Sequence, residues 1–135
     1  MNKASLLGLF ALVSFTASAN IDHLRPYYQD KVPSDFLDYM DSVTDISFRM
    51  AGIANYGLEH CDVNNDAVKA KVGQSMVGLM FYIPQEVIVG EIESRTGALF
   101  DQHGNSYCSK VEKAVNNLYS EAEQLKVEFE KNNPQ

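Results

Sequence analysis

Two cysteines, few basic side chains and no apolar run long enough to cross a membrane set the first limits on this 135-residue chain. Two cysteines are too few for a four-cysteine zinc site or a dense disulfide scaffold. Eleven Lys and Arg stand against 18 Asp and Glu, a formal net charge of −7. That balance argues against a nucleic-acid or anionic-membrane binder held by opposite charge. No nucleophile elbow, P-loop, zinc-protease helix, c-type haem attachment or paired Glu-x-x-His is present. The chain therefore reads as non-enzymatic, with no cofactor. What remains is 45% hydrophobic and 21% charged, an ordinary composition for a single globular domain.

The N-terminus reads as an address. Lys3 precedes an apolar run over residues 6–13, and Ala17-Ser18-Ala19 offers small residues where a signal peptidase reads them. The run is about ten residues long, half of what a membrane span requires. A signal peptide over 1–19, cleaved after Ala19, predicts a soluble periplasmic or secreted protein that does not span the membrane. Loss of Lys3 leaves ten basic against 18 acidic side chains, a charge of −8. In an oxidising compartment Cys61 and Cys108, which form no C-x-x-C motif, are most simply one structural disulfide.

Apolar spacing then predicts four helices after an arm at 20–33, within one helical domain at 34–135. In the last, Cys108, Val111, Val115, Leu118, Ala122, Leu125 and Phe129 recur three and four apart, with charges on the other faces. The first runs from a Ser34 cap through Phe36, Met40, Val43, Ser47, Met50, Ala54 and Gly57 to Cys61, its small residues allowing close approach of a neighbour. Asn64 or Asn65 caps a second, extending to Ile83 through Val68, Val72, Met76 and Leu79; Pro84 separates it from a third that ends at His103-Gly104-Asn105. The β-branched and aromatic content of residues 77–89 also admits a strand there. Short connections make neighbouring helices antiparallel. The expected fold is all-α, an up-down four-helix bundle in which Cys61 and Cys108 meet at one pole.

Four groups of residues are candidates for function. Asp62-Val63-Asn64-Asn65-Asp66 opens like a calcium loop, but Ala67 and Gly73 stand where the turn glycine and closing glutamate belong, so a helix cap is the better reading. His60, His103, Asp62 and Asp101 gather at the disulfide pole as a weak candidate metal site. Asp35, Asp38, Asp41 and Asp45 read as a solvated face of the first helix. The fourth group is a second apolar face on the helical hairpin, Val77, Met80 and Phe81, extended by Val87. Such a face needs a cover: the arm with Tyr27 and Tyr28, a second subunit in a homodimer, or another protein.

A long first helix ending Tyr56-Gly57-Leu58-Glu59-His60-Cys61, a helical hairpin and a last helix opening Tyr107-Cys108 together resemble the small pilotins of type II secretion. The resemblance implies a four-helix fold with one disulfide tying the first helix to the last. It also implies a groove that takes a helix from a secretin subunit. Pilotins are commonly lipid-anchored, whereas this chain has no cysteine at its expected cleavage point. The leading expectation is an exported protein that binds a protein or peptide partner through Val77, Met80, Phe81 and Val87. A toxin-neutralising immunity protein would instead use the acidic surface, and an acid-stress periplasmic chaperone would expose apolar surface on acidification.

Overall fold

Proline and asparagine set where the first two helices begin. Pro33, extended at φ −59° and ψ 148°, precedes α1 (Ser34–His60). Ser34 is thus already helical, and no side chain caps this end. Asn65 caps α2 (Asp66–Met76), its carbonyl oxygen accepting from the amides of Ala67 and Val68 at 2.8 and 3.2 Å. The computed structural model describes residues 21–134, so the expected signal peptide and its cleavage point lie outside the described residues. Among the described residues the chain is all-helical, with one disulfide joining Cys61 to Cys108.

The second helix is shorter than its apolar spacing predicts. It stops at Met76 and gives way to a single 3-10 turn, Leu79–Phe81. Two glycines, at 73 and 78, weaken the helical state, and Pro84 disfavours helical geometry at Ile83 just before it. No strand forms at 77–89. After Pro84, α3 (Gln85–His103) runs to Gly104, whose φ of 57° ends it. A 3-10 turn, Cys108–Lys110, then leads into α4 (Val111–Asn132).

The larger departure concerns α1. Thr44, Asp45, Ile46, Ser47 and Phe48 are all buried, and five consecutive residues sweep the whole circumference of a helix. A single apolar stripe with a wet back, as the sequence spacing predicts, does not describe this segment. Instead α1 is the hub, lying between two apolar clusters. On one side Ile46 and Met50 pack with Val68 of α2 and Val115 and Leu118 of α4. On the other, Phe48 and Ala51 pack with Leu79, Ile83, Ile88 and the arm residues Ile21, Leu24 and Tyr28.

Paired contacts define the directions of the helices. Cys61 meets Cys108 at one end of α1 and α4, while at the other the Phe36 and Tyr39 rings lie 4.8 and 4.3 Å from that of Phe129. The start of α1 therefore meets the end of α4. Along α1 and α3 contacts advance in step, Asn55 donating to Thr96 at 2.9 Å and His60 stacking on Phe100 at 4.2 Å. Along α2 and α4 they do the same, from Asn65 on Glu112 to Tyr119 on Gln74. Two glycines of α1 let its neighbours come close. A Cβ at Gly52 would stand 2.9 Å from Arg95 Cβ, and one at Gly57 2.8 Å from Val111 Cγ1.

Candidate functional site

Where α2 breaks, the chain must turn through residues 77–83, and the turn divides its side chains between two environments. Leu79 and Ile83 are almost fully buried in the cluster beneath. Val77, Met80 and Phe81 point the other way and are 56, 63 and 82% exposed. Burial of a side chain of this size against a partner stabilises by about 1.5–3 kcal/mol, so three together on one turn form a patch with binding energy to release. Val87, expected on the same face, is half-buried against the inner cluster and does not belong to the exposed patch. The arm packs against Leu79 and Ile83 but leaves Val77, Met80 and Phe81 open.

Phe81 also forms part of a cleft of about 510 Å³ between α1, the 77–82 turn and α4. Its floor is apolar, with Met40, Val43 and Leu79, and its walls carry Tyr39, Tyr82 and Tyr119. The Tyr119 hydroxyl donates to Gln74 Oε1 at 2.9 Å, fixing that ring across α2 and α4. Tyr39 is stacked on Phe129, and its phenol is pushed above the ordinary value, by burial first and then by the nearby charges of Glu130 and Glu123. Glu123 and Lys126 stand at the rim. An apolar floor with tyrosine hydroxyls above it suits an amphipathic segment, since tyrosine offers large contact area and a polar tip. The residues lining the cleft include one carboxylate, Glu123, and no histidine or cysteine.

The tyrosines of the cleft are absent from the sequence-level expectations. Tyr82 is adjacent to Phe81, and Tyr119 follows the buried Leu118 on α4. Their common cleft depends on the helix break after Met76 and on the approach of α4, both of them tertiary features.

At the disulfide pole the two imidazoles lie against aromatic rings. His60 stacks on Phe100 at 4.2 Å, whereas His103 lies 5.0 Å from the Tyr107 ring. Each imidazole is thus packed on its own aromatic neighbour. Asp62 lies in the link between α1 and α2 at φ 55°, and Asp101 is exposed on α3. Among the described residues no group of three or more His, Cys, Asp or Glu side chains is positioned to hold a metal ion.

The acidic row on α1 also departs from the solvated face expected of it. Asp35 and Asp38 are exposed, but Asp41 and Asp45 are only 9 and 6% exposed. Asp41 accepts from Arg25 through both oxygens and from the Tyr28 hydroxyl at 2.6 Å. The Tyr28 phenol is raised far above its ordinary value, by burial first and then by its hydrogen bond to Asp41. Burial likewise pushes Asp45 up, against the pull of Arg49 and Arg95, and its Oδ1 has no hydrogen-bond partner.

Comparison with protein-family models, curated proteins and solved structures finds no match to this chain. Among the described residues no helix is long and apolar enough to cross a membrane.

Proposed function

We propose that this chain is an exported, non-enzymatic binding protein that receives an amphipathic helix or apolar peptide of a protein partner across Val77, Met80 and Phe81 and into the adjoining tyrosine-walled cleft. The observation that carries this reading is the exposure of three large apolar side chains on one turn beside a cleft of about 510 Å³. A partner helix with apolar residues at i, i+3 and i+4 presents a face of matching character. Secretion-assembly factors of the pilotin kind take a helix in this way, and the shared features are an all-helical fold and a disulfide joining the residue after the first long helix to the start of the last.

The up-down arrangement of a four-helix bundle is part of the proposal. Its support is the sense of the paired contacts, start-to-end for α1 with α4 and in step for α1 with α3 and α2 with α4. Export is also proposed, with residues 1–19 as the signal peptide. The oxidised Cys61–Cys108 pair supports it, because disulfides persist in oxidising compartments.

Affinity capture from the native cell envelope tests the binding reading. The disulfide-bonded protein is compared with a Val77→Asp/Phe81→Asp variant of unchanged helicity. A partner retained by the parent and lost by the variant supports the surface; equal recovery of every partner by both forms contradicts it.

A further inference from the structure

The arm at 21–32 is a short segment of turns, with a single 3-10 turn at Arg25–Tyr27, laid over an apolar groove. Ile21, Leu24 and Tyr28 are its fully buried anchors, spaced i, i+3 and i+7, and they cover Phe48 of α1, Ile83 of the turn and Ile88 of α3. With Tyr27 and Val32 half-buried beside them, these anchors hold twelve residues in place against their conformational entropy. Polar contacts add to this hold, and they converge on two carboxylates. Asp41 of α1 takes Arg25 and the Tyr28 hydroxyl. Glu91 of α3 takes His23 Nε2 on one oxygen at 2.6 Å and Arg95 Nε on the other at 2.7 Å.

We propose that the arm is an acid-released strap: protonation of Glu91 breaks its latch to His23 and uncovers the groove formed by Phe48, Ile83 and Ile88, while the four disulfide-tied helices remain folded. Ionised, both carboxylates are acceptors only, Asp41 toward Arg25 and the Tyr28 hydroxyl and Glu91 toward His23 and Arg95; protonation gives Glu91 an O–H of its own and removes the charge that strengthens these bonds.

The electrostatics of strap and body run in opposite directions. Burial raises the Glu91 pKa, but hydrogen bonds and charge from His23 and Arg95 more than offset it, so the carboxyl sits below its ordinary value. That latch is stabilising above the usual glutamate range and is lost as pH falls through the lowered value. Asp45 behaves in the reverse sense. It faces Arg49 on α1, Arg95 on α3 and Glu121 on α4, and burial holds its pKa up. Protonation of Asp45 relieves a buried charge in the helical body, whereas protonation of Glu91 costs the strap its latch. The disulfide ties α1 to α4 at the pole where Tyr56, on α1, reaches Gly104, and its covalent bond does not depend on pH between 7 and 3.

The strap is independent of the binding reading above, because the groove it covers lies on the inner side of the 77–83 turn and the exposed patch on the outer side. Hydrogen exchange of the intact, disulfide-bonded protein tests it. The amides of Tyr28, Gln29 and Val32 are hydrogen-bonded within the docked arm and report its state. Between pH 7 and pH 3, after correction for intrinsic exchange, these amides are expected to lose about tenfold or more protection relative to those of Met50 and Val115. A Glu91→Gln variant is expected to show the same opening already at pH 7. Loss of arm and helix protection together in a single transition would overturn the proposal, as would an arm that stays protected at pH 3. The wild-type titration decides the question alone should the variant fail to fold.

Discussion

Gly57 of α1 and Val111 of α4 are so closely packed that a Cβ on the glycine would stand 2.8 Å from Val111 Cγ1, with Val63 Cβ at 3.2 Å on its other side. Val111 is fully buried and has nowhere to retreat. Gly57→Ala is therefore expected to destabilise the protein by about 1–3 kcal/mol. Gly90→Ala and Gly97→Ala, in the open on α3, are expected to stabilise it by about 0.5–1 kcal/mol each. Urea unfolding of the three variants checks the contrast, and a loss at all three positions would contradict it.

The disulfide closes a loop across a sequence separation of 47. On the chain-entropy view, replacing both Cys61 and Cys108 with serine is expected to cost about 4 kcal/mol. The measurement is the urea midpoint of the double variant against the oxidised parent. An unchanged midpoint would mean that the bond contributes nothing to the folded state.

Asp45 provides a pH test with a defined sign. A carboxyl whose pKa is raised on folding leaves stability intact below its unfolded value and diminishes it as pH rises through the folded value. Asp45→Asn removes that buried charge. Near pH 7 the substitution is expected to raise stability, by about 1 kcal/mol, and near pH 2 to leave it unchanged. Thermal unfolding of parent and variant at the two pH values reads the difference.

Val77, Met80 and Phe81 contribute to the surface and little to the core. The Val77→Asp/Phe81→Asp variant is accordingly expected to unfold within about 0.5 kcal/mol of the parent. The same pair of substitutions at Leu79 and Ile83, which lie under the turn, is expected to prevent folding. Circular dichroism melts distinguish the two pairs.

Much of this architecture can be read from local pattern. The stripe on α4, the Asn65 cap, the Gly104 stop and the pairing of Cys61 with Cys108 depend on residues close in sequence or on compartment chemistry. So does Gly57, whose small size in an apolar stripe marks a close approach. What local pattern does not carry is the enclosure of α1. Thr44 and Asp45 find partners on their own helix, at the Met40 carbonyl and Arg49, whereas buried Ser47 is satisfied across helices, at the Ser75 carbonyl of α2. The break after Met76 is of the same kind, since the apolar spacing continues to Ile83 while two glycines and Pro84 end the helix beneath it. The exposed patch was visible as an apolar second face, but its extent was not. Val87 turns inward to the groove covered by the arm, and the cleft beside Phe81 exists only once α4 crosses behind the turn.

The central claim is that the turn at 77–81 is a partner-binding surface, and a photo-crosslinking amino acid at position 81 tests it most directly in the native cell envelope. A second copy of the protein carrying the same crosslinker at Lys113, exposed on α4, serves as the reference. The account predicts a discrete adduct with another protein from position 81 and none from position 113. No adduct at 81, or the same adducts from both positions, would contradict it.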